Sequence, residues 1–94
     1  FARALFIKTM EKKSDLDQVI ESLLENWDPQ RVSLVDRNIL RFALAEVLYF
    51  PDVPGRVIID EAIEVAHRFS SEDAGRFVNG LVDRFVKEFR KDGA

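Results

Sequence analysis

The side chains able to do chemistry here are few: one histidine, no cysteine and no glycine-rich phosphate loop. His67 has Glu64 and Arg68 beside it in the sequence. A general base needs an orienting partner and a substrate group within hydrogen-bond reach, and nothing near His67 is spaced to supply either. The spacing predicts a solvated surface histidine. Glu61, Glu64 and His67 stand three apart, so one helix face could present all three to a divalent ion. Such an ion would want further ligands from a second element, and an ordinary solvated face is the expectation. The sequence therefore predicts no enzyme, no metal and no cofactor.

Three other groups of residues stand out. Phe69 and Phe77 flank Ser70-Ser71-Glu72-Asp73, with Arg76 close by. Two aromatic rings beside a helix start can stack unpaired bases, while free amides and an arginine attract phosphate. Burial of both rings in the core is the competing outcome, because phenylalanine is usually found inside. Asn79-Gly80 interrupts an otherwise strong helical pattern, where glycine costs about 1 kcal/mol relative to alanine. A close helix crossing at Gly80, with the Asn79 amide bonded to neighbouring backbone, is the expected reason. Arg41 and Glu46 lie five apart beside an apolar stripe, too far for a standard same-face pair, so each is expected to meet a different neighbour.

Five main helices must position these residues. Phe1, Leu5, Phe6, Thr9 and Met10 give a first helix ending in the basic cluster Lys12-Lys13. Ser14 is expected to cap a second, striped by Leu16, Ile20, Leu23, Leu24 and Trp27. Asp28-Pro29 signals a short helical restart. Ser33, with Asp36 three residues on, opens a longer helix through Ile39, Leu40, Ala43, Leu44 and Val47 that Pro51 stops. After the Pro51 to Gly55 turn, Pro54 or Arg56 opens a fourth helix. Val57-Ile58-Ile59 could mimic a strand, but no partner strand exists to pair its backbone. Ser70, Ser71 and Asp73 compete to cap the last helix, which runs to about Lys91 with Phe77, Val78, Leu81, Val82, Phe85, Val86 and Phe89 on its stripe.

The 94 residues suit one folding unit, and 47% hydrophobic with 33% charged residues favours a soluble globule. No apolar run approaches the roughly 20 residues that cross a bilayer, so no membrane role and a cytoplasmic location are expected. The net charge of -3 argues against nucleic-acid binding by bulk attraction. The charge is segregated, however: residues 1 to 13 are basic, whereas Asp15, Asp17, Glu21, Glu25, Asp28 and Asp36 face Arg31 alone between 14 and 36. The chain opens at Phe1 already in a helical pattern, which predicts sequence upstream. Without it, Phe6 and Met10 leave apolar surface for upstream helices or a second copy to cover.

Taken in order, Asp36-Arg37-Asn38-Ile39-Leu40-Arg41-Phe42-Ala43, Glu46-Val47-Leu48, Asp52-Val53-Pro54, Ile59-Asp60-Glu61-Ala62-Ile63-Glu64-Val65-Ala66 and Phe77-Val78-Asn79-Gly80-Leu81-Val82-Asp83 resemble the NusB family. With Asn26-Trp27 and Arg31 included, the resemblance covers essentially the whole chain. It implies an all-α bundle in which residues 1–32 are the remainder of an N-terminal half, 33–94 form the C-terminal half, and the family's first helices are missing. It further implies a transcription antitermination factor that joins NusE, a small-subunit ribosomal protein, on boxA RNA of nascent ribosomal RNA. The pair then supports processive RNA polymerase within an antitermination complex. Much of the family's RNA contact comes from an arginine-rich first helix that this chain lacks.

Carried over residue by residue, the RNA side falls on Phe69, Asp73 and Phe77, beside Arg76. Asp36 and Arg37 match positions near the RNA and partner surface, while Arg41, Glu46, Glu61, Asn79 and Gly80 are expected to be structural. Asp73 has two candidate roles, as helix cap or as acceptor from base edges. The chain departs from the family pattern at Ala45, where tyrosine is usual, and at Asp60, where asparagine is usual. Two rivals stand beside this assignment: an accessory domain of an RNA cytosine methyltransferase, and a structural helical module that forms a homodimer. The methyltransferase branch tends toward Asn-Ala where this chain has Asn79-Gly80.

Overall fold

The computed structural model describes residues 1–25 and 32–90. Among them are five helices and no strand: α1 (Ala2–Glu11), α2 (Lys13–Leu23), α3 (Leu34–Tyr49), α4 (Gly55–Phe69) and α5 (Glu72–Phe89). The all-α expectation holds, and Val57-Ile58-Ile59 are helical. The Asp28-Pro29 restart, Asn26-Trp27, Arg31 and a helix end at Lys91 lie outside the described residues.

The centre of the molecule is α3, which packs against each of the other four helices. Its start follows from local chemistry: Ser33 is extended at the cap and its Oγ accepts the Asp36 N–H at 3.1 Å. Ile39, Leu40, Ala43, Leu44 and Val47 are buried, and so are Ala45 and Glu46, because neighbours cover α3 on more than one side. The fully buried Leu16 and Ile20 of α2, Ile58 of α4 and Val78, Val82, Phe85 and Val86 of α5 complete the core. Each such Leu, Ile, Val or Phe contributes about 1.5–3 kcal/mol by leaving water.

One expected boundary moved. The second helix begins at Lys13, with Lys12 at its cap position and no side-chain cap, so Ser14 sits inside the helix instead of capping it. The physical reason is that α1 runs almost directly into α2. The Lys12 N–H is already taken by the Lys8 carbonyl, so no extended residue intervenes for a hydroxyl to cap. At the other end, Phe89 completes the expected stripe in sequence but is 42% exposed.

On α1, Thr9 is buried and bonds its hydroxyl to the Leu5 carbonyl at 2.7 Å, which satisfies a polar group in an apolar setting. Phe1 meets Phe50 edge to face with 5.3 Å between ring centroids. Lys8 and Lys12 place their ammonium groups 5.6 and 6.0 Å from the Tyr49 ring centre. These contacts fasten α1 to the end of α3, while Phe6 and Met10 stay exposed as the sequence predicts, and Ile7 is exposed with them.

Candidate nucleic-acid interface

The junction of α4 and α5 is two residues long. Phe69 closes α4, Ser70 and Ser71 turn the chain, and α5 begins at Glu72. Of the three residues competing to cap α5, Ser71 does so: it is extended and its Oγ accepts the Ala74 N–H at 3.1 Å. Asp73 is therefore released from capping and stands exposed in the first turn. Arg76, one turn further on, is also exposed.

The two aromatic rings differ. Phe69 is 68% exposed, whereas Phe77 is half-buried and packs against the core. The Phe69 ring at the end of α4 therefore lies mostly in water, open to a flat partner. The junction thus presents one open aromatic face, a partly accessible second ring, a carboxylate and a guanidinium. Together these can stack a base, accept from base amino groups and pair with phosphate.

Asp36 and Arg37 require correction as surface contacts. Asp36 is buried at the α3 start, and its Oδ1 has no hydrogen-bond partner among the described residues. Its place in the first turn, where Ser33 receives its N–H, turns the carboxylate inward against the protein. Arg37 is largely covered and reaches Glu21 Oε1 of α2 at 3.5 Å. That ion pair links α3 to α2.

Arg41 clamps the same pair of helices. Its Nε donates to Asp17 Oδ1 at 2.6 Å and its Nη2 to Oδ2 at 3.1 Å, a two-pronged bond to α2, while Nη1 donates to Asn38 at 2.8 Å. Glu46 meets other neighbours, as the spacing predicted. Burial, with Glu61 adding to it against an opposing pull from Arg90, pushes its carboxyl from 4.5 up to about 7.

At Gly80 the expected close crossing is absent: the residue is exposed, and an added Cβ would meet nothing within 4 Å. Asn79 is exposed as well. The tight glycine is Gly75, where a Cβ would clash with the His67 imidazole, so that ring of α4 lies over the α5 backbone. Gly80→Ala should therefore stabilise the fold by about 0.5–1 kcal/mol, since alanine restores helix propensity without a clash. A denaturant midpoint that falls instead would reveal a neighbour at Gly80 in the folded protein.

One residue with a large structural role gave no signal in the sequence. Arg90, just past α5, sends Nε to the Val47 carbonyl at 3.1 Å, Nη2 to those of Glu46 and Phe50 at 3.1 and 2.9 Å, and Nη1 to that of Val53. It caps the end of α3 from more than 35 residues away in the chain.

A family model described as NusB family matches residues 1–87. The chain belongs to the NusB family. A Transcription antitermination protein NusB from Desulfitobacterium hafniense is 45% identical over 91 residues, covering 97% of this chain and 62% of that protein. The protein of that name from Thermotoga maritima is 50% identical over 78 residues, covering 83% of this chain and 55% of the relative. A solved structure of T. maritima NusB superposes with a TM-score of 0.87 at 45% identity, over 98% of this chain and 66% of that one. The chain thus spans about three fifths of the NusB relatives it matches. Both of these curated relatives are named for transcription antitermination. Ala45, where the NusB pattern usually has tyrosine, is completely buried. Among the described residues no helix is long and apolar enough to cross a membrane, and no three His, Cys, Asp or Glu side chains gather as metal ligands.

Proposed function

We propose that the protein is an RNA-binding transcription antitermination factor that holds single-stranded boxA RNA across the α4–α5 junction together with NusE. In this role it serves the RNA polymerase antitermination complex in the cytoplasm. The single observation that carries the proposal is the exposed Phe69 ring beside a capped helix start whose carboxylate is free of capping duty. Phe69 stacks a base, with Phe77 as the inner wall of the same platform. Asp73 accepts hydrogen bonds from base amino groups and so discriminates between bases, while Arg76 and the first amides of α5 hold phosphate.

The net charge of -3 limits non-specific attraction, so affinity depends on these few contacts and on the ribosomal-protein partner. The relatives' printed name supports the antitermination role. Fluorescence anisotropy with NusE present should show boxA RNA binding at least about tenfold tighter than a scrambled RNA of equal composition, the value of one base-edge contact such as that assigned to Asp73. Equal affinity for the two RNAs would remove the specific claim.

A further inference from the structure

The cations at the end of α1 take no part in the α4–α5 junction. Lys8 and Lys12 stand one turn apart, and both ammonium groups lie over a single ring, that of Tyr49, at 5.6 and 6.0 Å from its centre. Lys13 follows, exposed, where α2 begins. Elsewhere on the surface the same one-turn spacing joins opposite charges: Glu64 with Arg68, Asp83 with Lys87 and Arg84 with Glu88. At the end of α1 it joins like charges, which repel. Glu11, the one acid in residues 1–13, is exposed, and among the described residues no ion pair engages Lys8, Lys12 or Lys13. The Tyr49 ring attracts cations through its quadrupole but carries no net charge, so it seats two lysines without neutralising them. In a chain of net charge -3, this gathering of unneutralised cations is complementary to a polyanion.

We propose that Lys8, Lys12 and Lys13 form a second, sequence-independent RNA contact, holding phosphates of the strand whose base stacks on Phe69. This rests on the RNA reading of the junction and adds a separate site to it. The two sites stand apart: α4 begins at Gly55, just past the end of α3 at Tyr49, and runs about 20 Å to Phe69 at about 1.5 Å per residue. The lysines therefore meet nucleotides removed from the stacked base. Lysine suits that task, because an ammonium on a flexible stem attracts any phosphate without reading a base edge.

Anisotropy of boxA and scrambled RNA with the 94-residue protein, from about 50 to 300 mM salt and both with and without NusE, tests it. Replacing all three lysines by glutamine should raise the dissociation constants of both RNAs by the same factor, about tenfold at the lowest salt, with the circular dichroism spectrum unchanged. The slope of log affinity against log salt should become shallower by about 2, since each phosphate contact on a single strand contributes about 0.7. Arginine at the same three positions should restore affinity and slope. Phe69→Ala, which removes no charge, should lower affinity and leave the slope as it was, so the two sites fail separately. If the protein binds RNA without preferring boxA, the reading of bases at the junction fails while the lysine contact is still measured by its slope. An unchanged slope in the glutamine variant would overturn the proposal. So would an arginine variant that fails to recover binding, or a loss seen only with NusE present, which would assign the lysines to an acidic face of a protein partner.

Discussion

Arg90→Ala is expected to lower the unfolding free energy by about 3 kcal/mol, a large share of the 5–15 kcal/mol that domains usually possess. The guanidinium serves four carbonyls at and beyond the end of α3, from Glu46, Val47, Phe50 and Val53. Hydrogen bonds from a charged donor are worth about 1.5–3 kcal/mol each, and water recovers part of the loss once the side chain is gone. The positive charge also faces the negative end of the α3 dipole. Arg90→Lys should recover only a minority of the stability, because an ammonium on a flexible stem cannot spread donors over a planar fork. Urea denaturation followed by circular dichroism measures both; a loss below about 1 kcal/mol for the alanine variant would show that the carbonyls find other donors.

Stability should fall as pH rises from about 4.5 to about 7, through Glu46. Its carboxyl ionises near 4.5 in the unfolded chain but near 7 in the folded one, because burial and, secondarily, Glu61 oppose the charge. Below the lower value the group is neutral in both states and its contribution is fully present. Between the two values the unfolded chain releases a proton that the folded chain keeps, so folding weakens with each rise in pH. The full effect is on the order of 3 kcal/mol by the usual conversion of about 1.36 kcal/mol per pKa unit. Glu46→Gln keeps the shape and removes the charge, so its unfolding free energy should exceed that of the parent protein at about pH 8 and match it at about pH 4.5. Denaturant midpoints measured across that range should diverge for the two proteins, and parallel curves would contradict the assignment.

Much of the frame was legible because it rests on local rules. The Ser33 cap with Asp36, the Pro51 stop and the stripes of α3 and α5 depend only on residues within a turn or two of one another. What was not legible depends on distant elements. Arg90 meets Glu46 across 44 positions, and nothing near Arg90 announces the carbonyls it will serve. Gly80 was an oddity in sequence and is open in space, whereas Gly75 was unremarked and is crowded by His67. Glycine marks permission for a close approach, and only the register of α4 against α5 decides which glycine is used. Asp36 and Arg37 were placed near the RNA and partner surface by the resemblance alone, but α2 meets Arg37, and the α3 start draws the Asp36 carboxylate inside. At the junction the sequence left burial of both rings open as the competing outcome, and the two part company in the fold, with Phe69 exposed and Phe77 half-buried against the core.

The central claim is that an open Phe69 ring reads RNA, and its most direct measurement is the affinity of Phe69→Ala for boxA RNA in the presence of NusE. The ring is 68% exposed and buries little in the protein, so the variant should fold with a denaturant midpoint close to the parent's. The account predicts a boxA dissociation constant raised about tenfold or more, from the 1–3 kcal/mol a stacked base is worth. A variant that binds boxA as tightly as the parent would contradict it.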